Sequence, residues 1–146
     1  MIYLLVTLGT FLIMEGITWC THKFVMHGFL WYLHEDHHQP KYNGLFEKND
    51  LFFVIFALPS ASLIILGSQN GLSLPFFIGL GILFYGLAYF LVHDVLIHRR
   101  FKWFDKTSSS YLVGLRKAHK THHKHLGKEH GECFGMLYVP SKYFKV

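Results

Sequence analysis

The chain has 146 residues, a length that suits a single domain. Hydrophobic residues make up 51% of it and charged residues only 16%, whereas roughly a quarter of a typical soluble domain is charged. The mean hydropathy is +0.28, so the composition favours a membrane protein over a soluble one. We expect one membrane-embedded domain that covers residues 1–146.

Three apolar runs are candidates for transmembrane helices, which need about 20 residues to cross a bilayer. They cover about residues 2–21, 51–67 and 75–97. The first run lacks a basic start and a small-residue cleavage site, so we expect a retained span and not a signal peptide. Its one charged residue is Glu15, which is costly at membrane depth. Glu15 is either a functional group near a site or a carboxyl paired with a neighbouring helix, and the sequence leaves both open.

The basic residues all lie on one side of the predicted spans. None of the fourteen lysines and arginines precedes His22 or falls in the turn at residues 68–74. By the positive-inside rule, the side that carries them is cytoplasmic. The net charge of +5 is therefore explained by topology and contact with membrane lipid, and we expect no nucleic-acid partner.

Ten of the twelve histidines form two copies of one pattern, an H-x4-H pair followed by an H-x2-H-H triplet. The first copy consists of His22, His27, His34, His37 and His38, and the second of His93, His98, His119, His122 and His123. Imidazole is the commonest protein metal ligand, and solvated or core histidines have no reason to repeat at ligand spacing. The pattern therefore predicts metal binding. Ten imidazoles are too many for one ion, and two metals with four to six ligands each could use most of them.

The two parts of the pattern have different geometry on a helix. Residues three and four apart share a helix face, so we expect each triplet to point into one pocket. Residues five apart are turned by about 140° in an α-helix. The H-x4-H pairs therefore suit a wide pocket or one that holds two metals, unless the helix ends between their members.

Other polar residues adjoin the predicted ligands. Metal-bound histidines usually donate their second N–H to a carboxylate or a carbonyl, and Asp36 and Asp94 are neighbours of motif histidines. We consider both as supporting residues, together with Glu15 and His125. A surface charge is the alternative for Asp94, and a solvated side chain is the alternative for His125.

Several metals and several functions fit ten imidazoles. The two cysteines form no C-x2-C pair, which excludes a zinc ribbon, and histidine also suits iron and copper. Redox metals at the ends of apolar helices suit the oxidation of an unactivated C–H bond in a lipid-soluble substrate. The non-catalytic alternative is a haem-binding or metal-binding membrane protein. Haem or a transported metal would need ligands inside the membrane, and these histidines lie at the ends of the spans.

The histidine series resembles that of the fatty acid hydroxylase and sterol desaturase superfamily of membrane di-iron enzymes. Within that superfamily, residues 22–28, 34–38, 46–52, 92–94 and 135–138 are similar to bacterial β-carotene 3-hydroxylases. The predicted fold is an all-α integral membrane helical bundle, with three to four transmembrane helices and a cytosolic histidine-rich di-metal cap. A fourth span, present in larger relatives, is expected to be reduced or absent.

The resemblance implies two iron ions held by the ten motif histidines, with O2 as co-substrate and a ferredoxin-type electron donor. The implied reaction hydroxylates carbon 3 of the β-ionone rings of β-carotene and gives β-cryptoxanthin and then zeaxanthin. The carotenoid would enter from the bilayer of a bacterial inner membrane, with the active site on its cytoplasmic side. A carotenoid ketolase, a lipid hydroxylase or a desaturase of the same superfamily would use the same histidines.

Overall fold

The computed structural model describes residues 1–40, 44, 46–101, 103 and 107–144. Every secondary-structure element assigned in these ranges is a helix. The α-helices are α1 (Ile2–Cys20), α2 (Trp31–His38), α3 (Leu51–Ser68), α4 (Leu74–Phe90) and α5 (Ser110–His122). Two π-helical segments, Thr21–Phe29 and Leu91–Ile97, extend α1 and α4. The prediction of an all-α fold is confirmed.

Three continuous helices of the described residues are long and apolar enough to cross a membrane. They are Ile2–Phe29, Lys48–Ser68 and Leu74–Ile97. Each contains one of the runs predicted from the sequence, and α4 packs against both α1 and α3. Large apolar side chains such as Leu12 and Leu58 are exposed on these helices, as expected where lipid surrounds a bundle. The chain is a membrane protein, and its described residues supply three spans.

Small residues allow α4 to approach both neighbouring spans closely. A Cβ atom on Gly79 would lie 2.8 Å from the carbonyl oxygen of Ser60 in α3, and one on Gly81 would lie 2.7 Å from that of Thr7 in α1. The buried Ser60 hydroxyl also donates to the carbonyl oxygen of Gly79 at 2.8 Å. Close backbone approach and hydrogen bonds of this kind are the usual means of association between helices in lipid. They hold the three spans at fixed positions under the histidine-rich end.

One arginine joins the ends of two spans at that end. The Arg100 guanidinium donates to both carboxylate oxygens of Asp50 at 2.8 Å and to Oδ1 of Asp94 at 2.7 Å. Paired, planar hydrogen bonds of this type give both strength and orientation. The start of α3 is thereby held beside the end of the third span.

The C-terminal part of the chain folds back over the histidine-rich end. The hydroxyl of Ser109 accepts from the backbone N–H of Leu112 and begins α5. This helix ends at His122, and carbonyl groups of the backbone that follows accept hydrogen bonds from the histidines. Residues 125–139, called the C-terminal strap below, are irregular. Val139 at the end of the strap is buried with Leu115 and Ala118 of α5.

Candidate metal centre

The ten motif histidines lie together at one end of the spans, in two clusters. Within each cluster, one ring nitrogen of every member lies within 4.8 Å of those of the others. The first cluster consists of His22, His27, His34, His38 and His122, and the second of His37, His93, His98 and His119. The tenth histidine, His123, stacks on His38 but also lies beside the second cluster. Its ring centroid is 4.6 Å from that of His119 and 4.9 Å from that of His98.

Each triplet is divided between the clusters, so the expectation of one pocket for each triplet is wrong. In α2, His34 and His38 belong to the first cluster and His37 to the second. Residues four apart differ by about 40° around an α-helix, whereas adjacent residues differ by about 100°. His37 therefore lies on a different part of the helix surface from His34 and His38. The same division occurs in α5, where His122 alone joins the first cluster.

The H-x4-H pairs lie in the two π-helical segments or at their end, since His98 directly follows Leu91–Ile97. In a π-helix each N–H bonds to the carbonyl five residues earlier. His98 N–H donates in this way to the carbonyl of His93 at 2.9 Å, and Leu30 N–H donates to that of Val25 at 3.0 Å. The wider turn makes the angle between residues five apart smaller than in an α-helix, which corrects the expected geometry. Both members of each pair reach the same cluster.

Four pairs of Nε2 atoms face one another inside the clusters, and the closest is His98 with His119 at 2.8 Å. The other three pairs are His22 with His34 at 3.2 Å, His27 with His122 at 3.2 Å, and His37 with His93 at 3.1 Å. The Nδ1 atom of each ring in those three pairs contacts an oxygen, which assigns the proton of the neutral ring to Nδ1 and leaves a lone pair on Nε2. Facing lone pairs repel each other, whereas both are attracted to a cation between them. This donor set fits metal ions.

Burial favours the neutral form of the cluster histidines on α2 and α5, because it lowers the pKa of each of these rings. It lowers the pKa of His38 to about 4 and that of His122 to about 3. It also holds the pKa of His37 and of His119 well below the usual 6.5. Nearby histidines act in the same direction, because two positive charges in one pocket are unfavourable. At neutral pH these rings are in the deprotonated state that metal binding requires.

The first cluster is supported mainly by the C-terminal strap. Four of its five histidines donate from Nδ1 to strap carbonyl oxygens at 2.8–3.0 Å. The carbonyls belong to His125, Lys128, Glu132 and Phe134. The fifth histidine, His34, donates to Oδ1 of Asn49 at 2.7 Å. His125 thus contacts a motif histidine through its backbone, while its side chain lies at the surface, 3.9 Å from Glu132.

The second cluster is supported by carboxylates. His37 Nδ1 donates to Oε2 of Glu47 at 2.8 Å, and His93 Nδ1 lies 3.4 Å from Oδ2 of Asp94. Asp94 therefore lies beside a motif histidine, as the sequence predicted. Asp36 accepts a hydrogen bond from the backbone N–H of Lys48 at 2.7 Å, and no contact with a motif histidine is found for it in the described residues.

Sequence reasoning missed Glu47 and Asn49 as partners of the histidines. The polar run that carries them includes a short 3₁₀ turn, Lys48–Asp50, directly before α3. The Asp50 carboxylate accepts from the backbone N–H of Glu47 at 3.0 Å. The sequence did contain a signal for these partners, because a carboxylate and a carboxamide lie between a histidine triplet and the next span. Such groups commonly accept a hydrogen bond from the ring nitrogen that does not bind the metal.

Glu15 contacts both α4 and the strap. Its Oε1 atom accepts from the backbone N–H groups of Met136 and Tyr138, each at 2.9 Å, and from that of Leu137 at 3.0 Å. Its Oε2 atom accepts from the Tyr85 hydroxyl at 2.7 Å. The carboxylate is thus paired with a neighbouring helix, which was one of the two alternatives, and it also holds the segment that supports the first cluster.

An apolar cavity lies among α1, α3 and α4, directly beside the histidines. Its lining is rich in methionine and aromatic side chains, among them Met14, Phe56 and Tyr89. At one end it reaches His93 and Asp94. Cavities with an apolar lining and a few polar groups at one end are typical sites for small apolar molecules. This cavity would bring such a molecule to a member of the second cluster.

Comparison with known proteins agrees with this architecture. Residues 7–139 match the fatty acid hydroxylase family, and the chain belongs to that family. Among curated proteins it is similar to the β-carotene hydroxylase of Pseudescherichia vulneris, with 43% identity over 137 residues, 92% of this chain and 76% of that protein. The β-carotene hydroxylase of Pantoea ananas is 44% identical over 136 residues, 93% of this chain and 77% of that protein.

A third relative is the β-carotene hydroxylase of Paracoccus sp. (strain PC1), 37% identical over 137 residues, 93% of this chain and 83% of that protein. No solved structure gives a significant match. The family expected from the histidine series and its flanking residues is confirmed.

Proposed function

We propose that this chain is a membrane di-iron oxygenase that hydroxylates carbon 3 of the β-ionone rings of β-carotene, giving β-cryptoxanthin and then zeaxanthin. The observation that carries the proposal is the convergence of Nε2 lone pairs in two clusters of largely buried histidines. The names of the curated bacterial relatives support a carotenoid as the substrate.

The two clusters would each hold one iron ion. The first offers five imidazoles and the second offers four, and His123 would complete the second as a fifth ligand because its buried Nε2 has no hydrogen-bond partner in the described residues. Imidazole alone does not select among iron, copper and zinc, and membership of the family favours iron. When bound, the iron pair supplies the activation of O2, with two electrons and two protons taken up as one oxygen atom enters the substrate and the other leaves as water.

The chain's own residues would position the substrate ring and exclude water from it. Aromatic side chains that line the cavity among the three spans, such as Phe56 and Tyr89, would pack against the ring. Arg100 compensates the charges of Asp50 and Asp94 at the polar end. The β-ionone ring would therefore meet His93 in an apolar space. The carboxylates of Asp50 and Asp94 at that end are both paired with Arg100.

We further propose that the clusters face the cytoplasm across a bacterial inner membrane. The distribution of lysine and arginine supports this orientation. Lys120 and Lys124 are exposed, and each directly follows a motif histidine in the sequence. Their positive charges would suit an acidic ferredoxin-type electron donor.

Expression in bacterial cells that accumulate β-carotene tests the proposed reaction. Zeaxanthin, together with β-cryptoxanthin, is the expected product, and 18O2 should label its hydroxyl groups. Canthaxanthin would identify a ketolase, and unchanged pigment with altered membrane lipids would identify a lipid hydroxylase or a desaturase. Unchanged pigment with a Soret band in the purified protein would identify a haem protein. The matched control is His122→Ala expressed to the same level.

A further inference from the structure

Two features singled out in the sequence have no role in the proposed reaction, and the structure brings them together. One is Glu15, the charged residue of the first predicted span. The other is the Gly-Met-Leu-Tyr segment at residues 135–138. Glu15 accepts hydrogen bonds from three consecutive backbone N–H groups of that segment at 2.9–3.0 Å.

The contact has the character of a built anion site within the protein. Consecutive backbone N–H groups that point at one acceptor form a concavity that favours negative charge. With the Tyr85 hydroxyl at 2.7 Å, the carboxylate receives about as many donors as its lone pairs accommodate. A side chain on Gly135 would overlap the carbonyl oxygen of Tyr138 and lie 3.2 Å from Oε1 of Glu15. Glycine at this position therefore lets the strap close over the carboxylate.

The strap held by Glu15 is the same segment that orients the first cluster. Phe134, two residues before the bound N–H groups, accepts from His22 Nδ1 at 3.0 Å, and Glu132 accepts from His122 Nδ1 at 2.8 Å. Between these two carbonyls, Cys133 has a φ of 59°. A left-handed backbone is unfavourable for a residue other than glycine and persists where surrounding contacts impose it. The carbonyls on either side of Cys133 are thereby directed at two different histidines.

We propose that Glu15 is a positioning residue that anchors the C-terminal strap and so sets the ring orientation of four histidines of the first cluster. This inference rests on the proposed function in one respect, that both clusters bind metal. The second cluster is supported by Glu47 and Asp94, and no hydrogen bond joins it to the strap in the part of the chain that the structure describes. Loss of the anchor is therefore expected to weaken one metal site and spare the other.

The test measures metal binding and strap protection in purified full-length protein loaded with ferrous iron. Loss of an outer partner of metal-bound histidines typically weakens metal binding 10- to 100-fold. We expect Glu15→Ala to lower the affinity for one of two irons by about that factor and to speed amide hydrogen exchange at residues 136–138. Glu15→Gln, which keeps one acceptor oxygen, should give a smaller loss.

Ser60→Ala is the matched control. It removes a different buried hydrogen bond within the spans, the one from Ser60 of α3 to the carbonyl oxygen of Gly79 in α4. It should reduce thermal stability while both irons stay bound. Mössbauer spectra should show one iron environment changed in Glu15→Ala and both unchanged in Ser60→Ala.

The inference is overturned if Glu15→Ala binds both irons as the wild-type protein does, or if it weakens both sites equally. A wild-type protein that binds two irons but leaves β-carotene unchanged would refute the proposed reaction and leave the anchor test intact. A wild-type protein that binds fewer than two metal ions would refute the anchor inference together with the di-iron part of the proposed function.

Discussion

Replacing Glu47 by glutamine tests the support of the second cluster. The substitution keeps the length of the side chain but removes the charge 2.8 Å from His37 Nδ1. A hydrogen bond to a charged group contributes about 1.5–3 kcal/mol, roughly twice as much as a neutral one. Because 24% of the Glu47 side chain is exposed, the lower end of this range applies, and glutamine should lose about 1 kcal/mol. That loss corresponds to roughly 5-fold weaker metal binding.

The assay is chelator competition on iron-loaded protein, with zeaxanthin formation measured in parallel. Glu47→Ala should weaken binding by more than 10-fold, since it removes the acceptor altogether. The control is Glu129→Gln, which makes the same change of charge at an exposed strap residue and should have no effect. Equal binding by Glu47→Gln and wild-type protein, or an equal loss in the control, would refute the assignment of Glu47 as a support of His37.

Three further outcomes are expected. His122→Ala should abolish hydroxylation while the protein still inserts into the membrane, and turnover near the wild-type level would contradict its role as a ligand. Gly86 lines the cavity, and a Cβ at Gly86 or at Gly9 meets nothing within 4 Å. Gly86→Val should therefore raise KM for the carotenoid by filling the cavity, at a cost of about 1–3 kcal/mol, and Gly9→Val should not. The metal-free protein should lose stability as pH falls from 7 toward 5. Burial lowers the pKa of His38 to about 4 and that of His122 to about 3, so both stay neutral in the folded protein, whereas the same residues in the unfolded chain bind protons below about pH 6.5. Thermal unfolding in detergent at several pH values measures this, and a constant melting temperature would contradict it.

Part of the site was missed because its geometry depends on the type of helix. The spacing of His93 and His98 implied an angle of about 140° on an α-helix, and the π-helical segment removes that angle. Short π-helical turns are rare and concentrate at functional sites, so the helix propensities of the residues do not indicate where such a turn occurs. The repeated H-x4-H spacing equals the π-helical hydrogen-bond interval, which is the signal that was present in the sequence.

The contacts of Glu15 were beyond sequence reasoning for a different reason. Its partners at residues 136–138 are backbone N–H groups more than 120 positions away. Every residue except proline has such a group, so a side-chain pattern cannot identify which ones will bind a carboxylate. The costly position of Glu15 in an apolar run indicated that a partner was needed, and only the folded strap identified it.

The sequence by itself determined the three spans, the side of the bundle that carries the basic residues and the family of the protein. Hydropathy is a property of each segment, and the histidine spacing is a property of the chain. The tertiary structure decided which histidines share a cluster. His27 faces His122, 95 positions further along the chain, and His37 joins His93 from the second copy of the pattern. Those pairings depend on how α2 and α5 are rotated against the spans, and that rotation is set by packing between distant segments, which no local pattern encodes.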